Sequence, residues 1–193
     1  MKVGLYFGSF NPIHVGHLII AQYMIQRDDI DAVWFVVSPH NPLKKKSTLL
    51  EDYHRLAIVK IAIEDELKFK AEDIEFKMPQ PSYTIDTLAY LKEKHPDYNF
   101  SLLMGEDNLR GLHKWKNFEK MLEKHKIYVY PRFEEEPIEH QFKEHPSVVF
   151  CNDVPLMKIS ASYIRELIGT GKSARFLLTE KVNKYVDDMN FYK

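Results

Sequence analysis

Cysteine is almost absent from this chain of 193 residues: Cys151 stands alone, which excludes an internal disulfide and a thiolate metal cluster. A dominant sign of charge is missing too. The 27 Lys and Arg offset 28 Asp and Glu to leave −1, so no global basic field points to a nucleic-acid partner. Long apolar runs are also lacking. The longest, Ala32–Val37, has six residues, far below the roughly 20 of a membrane helix, and a membrane partner is not expected. Met1-Lys2-Val3-Gly4 leads straight into a strand-like pattern, without the apolar region of a secretory signal. There is no internal repeat and no linker long enough to divide the chain. A composition of 45% hydrophobic and 28% charged residues then describes a globular chain of single-domain size, expected in the cytoplasm. Self-association is left open, so a homo-oligomer stays allowed.

The apolar residues alternate between short β-rich runs and longer helical stretches. Strands are expected at Lys2–Phe7, Ala32–Ser38, Asp73–Met78, Asn99–Met104, Lys126–Tyr130 and Ser147–Cys151. Helices are expected at Val15–Gln26, Glu51–Leu67, Thr84–Glu93, Trp115–His125, Ser160–Ile168 and Thr179–Asn190. Within the second helix, Leu56, Val59, Ile63 and Leu67 recur at a spacing that lays one stripe against a sheet. This alternation predicts an α/β fold: a doubly wound, Rossmann-like parallel sheet with helices on both faces. Such sheets bind ligands at the carboxyl ends of their strands, which directs attention to the segments that follow each one.

Gly8-Ser9-Phe10-Asn11-Pro12-Ile13-His14-Val15-Gly16-His17 follows the first strand. Gly8 and Ser9 turn the chain, and Pro12 suits the approach to a helix. The helix start offers free N–H groups and a positive dipole end to an anion, and Gly16 lets a phosphate approach the backbone. His14 and His17 share one face of the first turn, where two imidazoles can donate to oxygens that gain charge in phosphoryl or nucleotidyl transfer. Ordinary surface or core histidines and a zinc pair are the other readings, although no third zinc ligand stands at a familiar spacing. Near the other end, Ile159-Ser160-Ala161-Ser162-Tyr163-Ile164-Arg165 combines a helix cap at Ser160 with a guanidinium able to clamp phosphate oxygens. Gly171-Lys172-Ser173 imitates the tail of a Walker loop, but Glu166 stands where that motif needs glycine, so the stretch reads as a linker.

The first segment resembles the signature of the HxGH nucleotidyltransferases, and Ile159–Arg165 resembles their second element. Within that superfamily the loops look most like those of the bacterial nicotinate-nucleotide adenylyltransferase family, from Lys2 to about Ile168. Pro39-His40-Asn41-Pro42-Leu43-Lys44 with Arg55-Leu56, Ser82-Tyr83-Thr84-Ile85-Asp86-Thr87-Leu88, Gly105-Glu106-Asp107 and Trp115 all match its pattern. The resemblance implies one nucleotidyltransferase domain over residues 1–193, helical at about 160–193, working in NAD biosynthesis. It assigns ATP to Gly8, Ser9, Phe10, His14, Gly16, His17, Lys44, Gly105, Asp107, Ile159, Ser160 and Arg165. His14, His17 and Arg165 act in catalysis, and His40 joins the same phosphate loop. Mg2+ arrives bound to ATP rather than to protein ligands.

Nicotinate mononucleotide falls to Ser82, Tyr83, Thr84, Trp115 and Arg132. An indole face at Trp115 suits an electron-poor pyridinium, and donors at Tyr83-Thr84 suit a carboxylate. A carboxamide would leave such donors unpaired. Three positions depart from the family: Phe7 replaces a glycine, Asn11 replaces an aspartate, and Pro131-Arg132 inverts the usual order. The rival readings are phosphopantetheine adenylyltransferase, nicotinamide-mononucleotide adenylyltransferase and a non-catalytic nucleotide-binding module.

Overall fold

The computed structural model describes residues 1–39, 49–133 and 141–193. His40, Lys44 and the Lys44–Lys46 and Glu134–Glu136 charge runs lie outside the described residues. Six strands form one sheet: β1 Lys2–Gly8, β2 Ala32–Val37, β3 Phe69–Glu72, β4 Asn99–Gly105, β5 Ile127–Tyr130 and β6 Val148–Phe150. Their order is β3-β2-β1-β4-β5-β6, with every pairing parallel. Helices α1 Val15–Met24, α2 Asp52–Ile63, α6 Ala161–Gly169 and α7 Glu180–Asp188 serve one face. Helices α3 Thr84–Lys94, α4 Glu106–Arg110 and α5 Phe118–Lys124 serve the other.

The two-residue period of the strands sorts side chains between these layers. Tyr6, Val33, Phe35 and Val37 meet Met24, Ile58 and Val182 on one side. Leu5, Ala32, Trp34 and Val36 meet Leu88, Leu102 and Met121 on the other. All six residues of β2 are buried, as expected of a strand covered on both faces. β1 lies between β2 and β4, so the chain winds away from it in both directions. The crevice at the carboxyl ends of β1 and β4 is the topological switch point.

Three expectations need correction. The third strand is Phe69–Glu72, whereas Ile74–Lys77 is a turn of 3-10 helix. At Asp73–Met78 the apparent alternation misleads, because Glu75 is buried while Ile74 and Phe76 are only partly so. As an edge strand, β3 carries lysine and glutamate instead of an apolar run. Lys70 Nζ bonds Glu72 at 2.8 Å and lies 3.8 Å from the Trp34 ring centre. Second, α2 stops at Ile63 and leaves Leu67 fully exposed, so the packing stripe ends one turn early. Third, α5 begins at Phe118 rather than Trp115, because Asn117 turns the chain with φ of 52°. No helix of the described residues is long and apolar enough to cross a membrane.

Candidate active site

The segment between β1 and α1 is built on buried aromatic rings. Phe10 adopts a φ of 44° and is 2% exposed. Its ring contacts Tyr6, Phe35 and His17 edge-on, with centres 5.2 to 5.8 Å apart. A β-carbon at Gly8 would lie 2.9 Å from that ring, which is why glycine stands there. Phe10 was expected at ATP; its ring points inward and supports the loop from beneath.

His14 caps α1 in extended conformation, with His17 three residues into the helix. Their rings stack with centres 3.7 Å apart and planes 26° from parallel. The His14 backbone N–H donates to His17 Nδ1 at 3.2 Å, which places the proton of a neutral His17 on Nε2. Burial, reinforced by Arg132, lowers the pKa of His14 to about 4. Burial, then His14, then Arg132 lower that of His17 well below the ordinary value. Both rings are therefore neutral N–H donors at physiological pH. His14 Nδ1 is buried without a hydrogen-bond partner among the described residues. A β-carbon at Gly16 would lie 3.0 Å from that nitrogen and 3.8 Å from Ile159 Cβ. Gly16 thus makes room for the catalytic candidate, beyond the phosphate approach its position suggests.

The two ends of the sequence meet here. Arg165 Nη1 donates to the Asn11 carbonyl at 2.8 Å, while Nη2 bonds Ser162 Oγ at 3.2 Å. Ser160 caps α6 by accepting from the Tyr163 N–H at 3.1 Å. Gly171 turns the chain after α6 with φ of 73°, in keeping with a linker. Arg132, just beyond β5, holds its Nε 3.4 Å from Asp107 Oδ1. That separation is an ion pair without a good hydrogen bond, and Nε is a second buried donor with no hydrogen-bond partner among the described residues. Gly105 admits this pair, since a β-carbon there would lie 2.9 Å from Arg132 Nε. The Arg132 backbone N–H bonds Glu106 Oε2 at 3.2 Å, and its guanidinium lies over the Tyr130 ring. Tyr6 and Tyr130 join hydroxyls at 3.0 Å beneath it.

The Ser82–Thr84 and Trp115 segments also converge. Tyr83 caps α3 and is exposed, with Lys116 Nζ 4.7 Å from its ring centre. Lys116 also pairs with Asp86 at 2.8 Å. Trp115 is half-buried against the apolar layer beneath α3 and α5. Glu75 lies near Ser82 and Ser38, and its buried carboxyl accepts from Thr87 Oγ1 at 2.7 Å. Burial pushes the Glu75 pKa up. The His14–His17 pair is not joined by further metal ligands: no group of three His, Cys, Asp or Glu suited to a metal occurs among the described residues.

Residues 5–167 match the cytidylyltransferase-like family. A probable nicotinate-nucleotide adenylyltransferase of Flavobacterium psychrophilum is 57% identical over 193 residues, covering the whole of both chains. One from Flavobacterium johnsoniae is 58% identical over the same span.

The chain belongs to the nicotinate-nucleotide adenylyltransferase branch of the cytidylyltransferase-like family.

The nicotinic acid mononucleotide adenylyltransferase of Plasmodium falciparum, solved with NaAD, shares the fold at a TM-score of 0.80 and 21% identity. The match covers 99% of this chain and 97% of that one. Within this nicotinate-nucleotide adenylyltransferase-family chain, the departure at Phe7 is accommodated by packing against the α3 and α5 layer. Sequence reasoning assigned no role to Arg55, which is fully buried. It donates to the carbonyls of Ser9 at 2.6 Å, Ser38 at 2.7 Å and Leu50 at 3.0 Å, and also pairs with Asp52. An arginine inside the apolar pattern of α2 is the signal that could have revealed it. A cavity of about 860 Å³ runs between α3 and α5, from Asp86 and Asn117 to Lys2, Asn99 and Tyr128 at the amino ends of the strands. None of His14, His17, Arg132, Ser160 or Arg165 lines it.

Proposed function

We propose that this chain transfers the adenylyl group of ATP to nicotinate mononucleotide, producing nicotinate adenine dinucleotide and pyrophosphate in cytoplasmic NAD biosynthesis. The observation that supports the reading is a pair of buried side-chain nitrogens at the switch point without a hydrogen bond among the described residues, His14 Nδ1 and Arg132 Nε, the latter 3.4 Å from Asp107. A buried polar nitrogen without a hydrogen bond costs about 1–3 kcal/mol, so a site that keeps such groups suits a ligand from outside. The N–H of a neutral His14 ring and the Arg132 guanidinium match phosphate oxygens. The same set of donors suits a phosphate better than a bare divalent cation, and magnesium accordingly enters as part of the Mg–ATP substrate.

An acceptor phosphate oxygen attacks the α-phosphorus as the bond to the bridging oxygen of pyrophosphate breaks. The attacking phosphate is already ionised at neutral pH and needs no general base. The protein's work is alignment and stabilisation of charge on the equatorial oxygens. His14 serves the α-phosphate, while His17, Ser160 and Arg165 serve the rest of the triphosphate chain. Gly8, Ser9, Gly105, Asp107 and Ile159 complete the ATP site, with Asp107 accepting from a sugar hydroxyl. Arg132 holds the acceptor phosphate, Trp115 faces the pyridinium, and Ser82, Tyr83 and Thr84 line the place of the carboxylate. Carboxamides are rejected because their NH₂ confronts donors. The unit extends over residues 1–193.

Pyrophosphate release from Mg–ATP tests this directly, with nicotinate mononucleotide, nicotinamide mononucleotide and phosphopantetheine offered separately. Rapid release is expected only with the first. Equal rates with the amide would refute the acceptor assignment, and no release with any of the three would refute adenylyl transfer.

A further inference from the structure

We propose that Tyr192 is a positioning residue for the loop that presents His14, acting through Asn11; this role rests on the adenylyl-transfer reading above. Tyr192 follows α7 in a segment folded back upon the site. Its hydroxyl donates to Asn11 Oδ1 at 2.8 Å, and the Leu50 N–H reaches the same oxygen at 3.2 Å. Asn11 is 4% exposed, and its main-chain carbonyl is the acceptor for Arg165. Three parts of the chain therefore converge on one residue of the β1–α1 loop: the segment before α2, the arginine of α6 and the phenol after α7. Asn11 lies three positions before His14, so a displacement of this anchor moves the cap of α1.

The segment is held in a conformation that L residues otherwise avoid. Asn190 and Tyr192 have φ of 52° and 66°. Phe191 packs between His54 and Tyr185, with ring centres 4.7 and 5.9 Å away, and its N–H bonds the Val186 carbonyl at 3.0 Å. These contacts fix the direction of the neighbouring phenol. Burial pushes the Tyr192 pKa up, so the hydroxyl keeps the proton it donates. The arrangement also gives Asn11 a structural reason: its amide oxygen receives two donors without placing another negative charge beside a triphosphate.

Tyr192→Phe removes one oxygen and retains the packed ring. We expect kcat for adenylyl transfer to fall about three- to tenfold, in line with one hydrogen bond, while the affinity for a non-hydrolysable ATP analogue changes less than about twofold. In an Asn11→Ala background, Tyr192→Phe should cause no further loss, because the phenol then has no anchor to hold. An unchanged kcat in the single variant, or an equal loss in the Asn11→Ala background, would overturn the proposal. Imidazole ¹⁵N resonances of the free protein give a readout independent of turnover. Tyr192→Phe should shift those of His14 and His17 with little change in melting temperature. Lower melting temperature with unmoved imidazole resonances would show a merely structural contact and overturn the role. If the wild-type chain transfers nothing to any acceptor, the proposed function fails by itself, and the resonances still decide this inference.

Discussion

His14 and His17 owe their character to where they are placed rather than to the imidazole alone. Burial, the stacked partner ring and Arg132 all disfavour a proton. The folded-state pKa of His14, about 4, lies below its ordinary 6.5. Its stabilising contribution is therefore present above pH 6.5 and is lost as pH falls towards 4, when the unfolded chain binds the proton more readily. That difference corresponds to about 3 kcal/mol over the full interval, with His17 acting in the same direction. Urea unfolding between pH 7 and 4.5 should show wild type losing stability more steeply than His14→Ala. Parallel pH profiles would contradict the neutral-ring account. The alanine variant should also lose roughly a hundredfold or more in kcat, as when an oriented transition-state donor is removed. The pairing of the two histidines at the start of α1 was legible in sequence because their spacing and flanking turns place them on one face. The Phe10 ring was not, since inward direction arises from its left-handed backbone and the neighbouring Tyr6 and Phe35.

At the scale of elements, Arg55 joins the β1–α1 turn, the end of β2 and the entrance to α2 through three carbonyls. Burial disfavours its charge and pushes its pKa down, while Asp52 opposes that effect. Lysine preserves the charge but lacks the planar fork that reaches several acceptors at once. Arg55→Lys should destabilise the chain by about 2–4 kcal/mol in urea unfolding and lower kcat with it. Stability within 0.5 kcal/mol of wild type would remove Arg55 from this joining role. Five of the six strands and the cap at Ser160 were legible from local pattern. β3 was not, because an edge strand protected by a Lys70–Glu72 pair has no apolar signature. α4 and the early end of α2 also depend on neighbouring elements more than on their own periodicity.

At the scale of the molecule, the fold gathers residues that sequence separates by as many as 181 positions. The alternation of strand and helix predicted that class of fold, while the motifs located its carboxyl edge as the working edge. Strand order and the approach of Arg132 to the histidines are consequences of tertiary assembly, which no local pattern displays. The central claim is that the triphosphate and acceptor phosphate meet at the β1–β4 crevice. A crystal structure with a non-hydrolysable ATP analogue and nicotinate mononucleotide tests it most directly. The account predicts the α-phosphate within hydrogen-bond reach of His14, the acceptor phosphate facing Arg132, and an in-line approach between them. A triphosphate seated in the cavity between α3 and α5, with His14 still unpartnered, would contradict it.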